Sequence, residues 1–144
     1  MAITTRDIPA LPDQVWAVLA DPLRYAEWVV GAQEVRCFDG EWPEPGARFH
    51  HRVGLGPVHI HDDTSVLEST PPRRLVLRAR VRPFGHARVA LELFACEAGT
   101  RVEIDEEPTS PAARVGRKVL DPFIHLRNVE ALRRLERLVC PVAP

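Results

Sequence analysis

The sequence predicts an α+β fold: a curved antiparallel sheet of about seven strands around one long C-terminal helix, with two short helices after the first strand. Three observations predict it. Residues 33–107 fall into consecutive short segments of alternating apolar and polar side chains, separated by turn signals. Residues 110–139 switch to helical spacing. Residues 8–30, IPALPDQVWAVLADPLRYAEWVV, hold two helices too short to form a domain alone, so they must close off something larger. A sheet that grips a helix leaves an interior space, and this order therefore points to a small-molecule binder.

Ala2 to Pro9 alternates and reads as the first strand. Pro12 suits the first helical position, where its missing N–H costs nothing, and Asp13 in the first turn complements the helix dipole. Val15, Val18 and Leu19 supply a short apolar face beside Trp16. Asp21-Pro22 ends this helix, because proline disfavours helical geometry in the residue before it. Tyr25, Trp28 and Val29, at i, i+3 and i+4, form the second.

Strands are then predicted at Gln33–Phe38, Ala47–Val53, Val58–Leu67, Arg74–Arg82, Ala87–Cys96 and Thr100–Glu107. Asp39-Gly40, Pro45-Gly46, Gly54 to Pro57, Pro71-Pro72, Pro83 to Gly85 and Gly99 separate them. Short turns between consecutive strands make an antiparallel meander. Its sidedness is plainest where Leu75, Leu77, Ala79 and Val81 alternate with arginines, and where Val102 and Ile104 alternate with Arg101, Glu103 and Asp105. The last helix opens at Ser110-Pro111 and runs to about Val139, with a kink expected at Pro122. Ile124, Ala131, Leu135 and Leu138 share its apolar face, with Arg127, Arg134 and Arg137 opposite.

Composition narrows the function classes. The 144 residues suit a single domain over 1–144, and the formal net charge of -1 gives no bulk electrostatic case for nucleic acid. Arg78, Arg80, Arg82 and Arg88 form an outer basic patch, but acidic Glu92, Glu103, Asp105 and Glu107 lie on nearby outer positions. No apolar run reaches the roughly 18 residues of a membrane span, and no secretory leader is visible. Cys37, Cys96 and Cys140 are odd in number and lack metal spacing, so reduced thiols and a cytoplasmic location are expected. No phosphate loop, strained nucleophile or metal motif is present, and no cofactor is expected. Oligomeric state is not legible.

The chain resembles the START-like (SRPBCC) superfamily, and within it the polyketide cyclase/dehydrase and lipid-transport group. Pro12-Asp13-Gln14-Val15-Trp16, Ala20-Asp21-Pro22 and Trp28 look like the P-x-x-V-W…D-P…W pattern of that group. Thr70-Pro71-Pro72-Arg73-Arg74-Leu75 is similar to its P-P-R-x-L strand opening, and Gly99-Thr100-Arg101-Val102 to its G-T-x-V. Asp121-Pro122, Arg127-Asn128 and Ala131-Leu132 resemble its C-terminal helix. The resemblance implies a helix-grip fold enclosing an apolar cavity. It carries over no catalytic residue, since the group includes carriers, receptors and aromatase/cyclases alike.

An apolar cavity orients its ligand with a few inward polar groups. If the hairpin after Leu55 pairs Gly54 with Pro57, then His51 faces Ile60, Phe49 faces Asp62, and His51, Asp62 and Thr64 point inward. The parity of Val102 and Ile104 sends Glu106 inward, and Asn128 falls on the apolar stripe of the helix. His51, Asp62, Glu106 and Asn128 would then converge on a ligand. His51, Asp62 and Glu106 are the catalytic candidates, because a histidine beside a carboxylate moves protons at neutral pH. Trp28 at the entrance, Leu77, Leu91 and Ile124 complete the expected lining, and Trp42 suggests a lid. The same register sets His50 opposite His61 with His59 diagonal, on an outer face where solvation is expected rather than metal binding.

Three readings of function follow. The first is a carrier, sensor or product-shaping pocket for a small hydrophobic or aromatic molecule. The second is a cyclase, aromatase or dehydratase acting on a polyketide-like substrate. The third is a protein-interaction module whose cavity is filled by side chains.

Overall fold

The structure, a computed structural model, describes residues 2–29, 32–55, 58–81, 85–109 and 111–140; side chains at 2, 25, 26, 32–39, 49–55, 58–62, 80, 81, 85, 112–121 and 123 lie outside the description. Its elements are β1 (Ala2–Ile8), α1 (Pro12–Leu19), a 3₁₀ turn (Pro22–Arg24), α2 (Tyr25–Trp28), β2 (Ala32–Asp39), β3 (Arg48–Leu55), β4 (Val58–Thr70), β5 (Arg74–Val81), β6 (Gly85–Cys96), β7 (Gly99–Pro108) and α3 (Pro111–Val139). Among the described residues the strands form one antiparallel sheet in the order β1-β7-β6-β5-β4-β3-β2. β1 and β2 thus lie at opposite edges, and the segment carrying α1 and α2 connects them. No described helix is long and apolar enough to cross a membrane.

α1 starts where proline permits a start. Pro12 occupies the first turn, and the Leu11 N–H that precedes it donates to Gln14 Oε1 at 2.9 Å. Val15, Val18 and Leu19 are buried against the sheet, with Trp16 packed beside them. The end of α1 also receives the Trp42 indole, whose Nε1–H donates to the Leu19 carbonyl at 3.1 Å. The Trp42 loop expected as a lid is therefore tied to the helix.

The β7 entry is held by an equally specific device. Gly99 has φ +132°, and an added Cβ would meet the Ile8 carbonyl oxygen at 2.5 Å and Ala10 N at 2.7 Å. The following hydroxyl, Thr100 Oγ1, donates to the Ala10 carbonyl at 2.7 Å from a fully buried position. Gly-Thr thus fastens the β1–α1 corner onto β7. Further along the same pair Arg101 bonds Asp7, holding its carboxyl below the usual carboxylate range.

α3 is one helix through Pro122, so the expected kink marks no break in it. Asn128, Ala131, Leu132 and Leu135 are buried on its inner face. Full burial of Leu132 and Leu135 is worth roughly 1.5–3 kcal/mol each, which is what seats the helix. It leans chiefly on β1, then on α2, and also on α1, β7 and β6. Arg6 of β1 reinforces the contact through Glu136 at 2.7 Å.

Two sequence expectations need correction here. The β3–β4 ladder begins at Leu55↔Val58, so Gly54 faces His59, His51 faces Asp62 and Phe49 faces Thr64. A proline at position 57 has no N–H to give the pairing that a turn at Leu55-Gly56 would need. The shift is two residues, which preserves each position's parity but changes every partner. Consequently His50 faces Asp63 and Arg52 faces His61, instead of His50 facing His61. The second correction is the end of β4, expected at Leu67 but found at Thr70: a register slip between Val66 and Glu68 leaves Leu67 as an extra, exposed residue and the strand continues past it.

Candidate ligand-binding site

Directly opposed residues of neighbouring strands share a face, so the ladder defines transverse rows across the sheet. One row runs Glu106, Val89, Leu77, Val66 through β7, β6, β5 and β4. The next contains Ala87, Ala79 and Thr64, and on the other side lie Ile104, Leu91 and Leu75. Thr64, Val66, Leu75, Leu77, Leu91 and Glu106 are all buried. Of the remaining candidates, Trp28 and Asn128 are buried and Ile124 is half-buried. His51 and Asp62 stand opposite each other in the ladder, but their side chains lie outside the described residues, as do those of His50, His59 and His61.

Glu106 is only 6% exposed. A carboxylate so removed from water needs a charged or hydrogen-bonding partner. Arg127 supplies it, with Nη2 donating to Glu106 Oε1 at 2.5 Å. The Arg127 side chain is 38% exposed, so its guanidinium reaches in from the solvent side while the carboxylate occupies the inner side. This corrects the expectation that Arg127 points away from the sheet. The signal was present: Arg127 follows Ile124 by three residues and precedes Ala131 by four, which is the spacing of the apolar stripe itself.

Asn128, the next residue, is 4% exposed, and its Nδ2 has no hydrogen-bond partner among the described residues. One turn earlier, His125 Nδ1 lies 3.3 Å from the hydroxyl of buried Thr4, which sits on β1 opposite Ile104. Thr4, His125, Glu106, Arg127 and Asn128 therefore form one polar neighbourhood where the β1–β7 edge meets α3. Thr4, His125 and Arg127 were missed from the sequence.

Of the four polar groups expected to converge on a ligand, Glu106 and Asn128 lie in this neighbourhood, and the side chains of His51 and Asp62 lie outside the described residues. Strands lie roughly 4.7–4.9 Å apart. β3 is four steps from β7, so His51 and Glu106 are separated by roughly 19 Å along the sheet. A single hydrogen bond does not span that distance. Cys96 and Cys140 are free thiols, and no cluster of metal-ligating side chains occurs among the described residues.

With this geometry in place, comparison identifies the relatives. A protein from Rhodobacter sphaeroides superposes with a TM-score of 0.77 at 23% identity, covering 98% of this chain and 92% of that one. The di-domain ARO/CYC StfQ from the steffimycin biosynthetic pathway gives 0.76 at 9% identity, covering 95% of this chain and 49% of that one. DynU16 from the dynemicin biosynthetic locus gives 0.69 at 22% identity, covering 95% and 46%. No curated protein matches the sequence. The structural likenesses carry the fold alone. The family model for polyketide cyclase / dehydrase and lipid transport matches residues 3–139, nearly the whole sequence, and the chain belongs to that family.

Proposed function

We propose that this protein binds a small, largely apolar or aromatic molecule between the inner face of the sheet and α3, as a carrier, sensor or product-shaping pocket. The observation that carries the reading is the buried Asn128 Nδ2, without a partner among the described residues, on the turn of α3 that bonds Glu106; buried Leu77, Leu91 and Val66 and half-buried Ile124 are the lining we assign to the guest. An unmet buried amide costs about 1–3 kcal/mol, and a ligand oxygen would satisfy it. A second support is the helix's position. It leans on β1, β7 and β6, whereas the buried inner residues continue across β5 and β4 to Leu77, Val66 and Thr64. Membership of a family described by polyketide cyclases and lipid transport, and a shared fold with a steffimycin-pathway ARO/CYC, favour the same class of guest. In this reading Trp28 flanks the entrance, and the domain works in the cytoplasm.

Native mass spectrometry of protein purified from its own host tests the proposal. A retained apolar mass is expected. Protein that is always empty, and that no lipid or polyphenol stabilises, would indicate an interaction module instead.

The ladder favours a second reading, catalysis. His51 stands opposite Asp62, and an imidazole beside a carboxylate can pass protons in an enolising cyclisation or a dehydration. Glu106, paired to Arg127 three strands from Asp62, is a binding group in this scheme rather than a base. His51→Ala should then abolish turnover of a competent substrate, and unchanged turnover removes His51 from the mechanism.

A further inference from the structure

We infer that Asn128 and Glu106 together form a hydroxyl-reading subsite, which selects neutral apolar ligands bearing an alcohol or phenol and rejects those ending in a carboxylate. The inference rests on the reading that the interior holds a small apolar molecule. It names the functional group that molecule must carry.

The two side chains offer complementary chemistry. Asn128 Nδ2 is a donor without an acceptor among the described residues, buried on the inner face of α3. Glu106 is an acceptor on the inner face of β7, and its ion pair with Arg127 uses a single carboxylate oxygen, Oε1. Arg127 and Asn128 are consecutive on the helix, and the Arg127 contact sets Glu106 against this turn of α3. A hydroxyl is the smallest group that answers both, since its O–H donates to the carboxylate while its lone pair accepts from the amide. A ketone answers only Asn128. A carboxylate offers acceptors alone and brings a second negative charge against Glu106, while the guanidinium that could offset it is already engaged and lies on the solvent side. Leu77 and Val89, on the same row as Glu106, place apolar surface directly beyond the polar pair.

Polar pockets reject the wrong functional group more strongly than apolar pockets reject the wrong size, because a buried group is left unpaired. The probes are 2-naphthol, 2-naphthoate and 2-methylnaphthalene, matched in ring size, with affinities measured near neutral pH by equilibrium dialysis. The full-length protein should bind 2-naphthol about tenfold or more tightly than either of the others. Asn128→Leu should erase the advantage of 2-naphthol over 2-methylnaphthalene. It should leave the thermal midpoint unchanged or raised, since the Nδ2 donor it removes has no partner among the described residues. Glu106→Gln, nearly isosteric, should instead improve 2-naphthoate relative to 2-naphthol, because it removes the like charge and frees Arg127. Equal binding of all three probes, or a preference that survives both substitutions, overturns the subsite and leaves apolar binding standing. Failure of the protein to bind any of the three overturns both.

Discussion

At the scale of single residues, Gly99 and Thr100 show how a two-letter motif becomes a structural requirement. Gly99 takes φ +132° with the Ile8 carbonyl oxygen and the Ala10 backbone against the space a Cβ would fill. Gly46 also has a positive φ, +88°, but nothing lies within 4 Å of its missing Cβ. The pair separates two costs that are usually confounded. Gly46→Ala should lose only the backbone term, about 1–2 kcal/mol. Gly99→Ala adds a clash with backbone atoms that no side-chain rotation relieves, and it should lose at least about 3 kcal/mol. Urea denaturation measures both, and similar losses for the two variants would show that the close approach to Ile8 and Ala10 is dispensable. The sequence displayed this Gly-Thr as a strand opening. It did not display the residues it grips, because Ala10 is 90 positions away.

At the scale of elements, strands with one buried face were legible from alternation, as in Val102, Ile104 and Glu106 of β7, all buried with more exposed neighbours between them. Register was less legible. The β3–β4 partners depend on where the turn closes, and the register found, with Leu55↔Val58, does not ask position 57, a proline without an N–H, for a ladder bond. β4 likewise absorbs an extra residue at Leu67, a local event that no periodicity announces. α3 was more legible, since its apolar stripe was readable and the helix runs from Pro111 through Pro122 to Val139, the bounds expected of it. Pro122 sits exposed inside the helix and cannot donate to the carbonyl four residues before it. Alanine is about 3 kcal/mol better than proline in a helix interior, whereas proline's restriction of the unfolded chain recovers only about 0.4–1 kcal/mol. Pro122→Ala should therefore stabilise the protein by about 1–3 kcal/mol, seen as a higher urea midpoint. A lower midpoint would mean that the proline shapes α3 in a way the rest of the fold needs.

At the scale of the whole molecule, the site is assembled from the two ends of the chain. β1 and β7 pair although about a hundred residues separate Thr4 from Ile104, and α3 crosses that pair to bring Arg127 to Glu106 and His125 to Thr4. Glu106 and Asn128 could be read as inward from parity and helical spacing. Their neighbours could not, because sequence patterning is local and this neighbourhood is a product of topology. The same topology would make the proposed guest and the fold interdependent. A guest held between α3 and the inner sheet touches only the folded state, so binding must raise stability by mass action, about 2.7 kcal/mol at a free concentration a hundred times Kd. For a chain of 144 residues this corresponds to a rise in Tm of roughly 5–15 °C. Hydrogen exchange should localise the effect. Amides of β5, β6, β7 and the second half of α3 should slow when 2-naphthol is present, because opening any of them requires releasing the guest. Slowing confined to the solvent-facing strand edges, with no rise in Tm, would place the contact outside the sheet–helix interior and identify the protein as a surface binder.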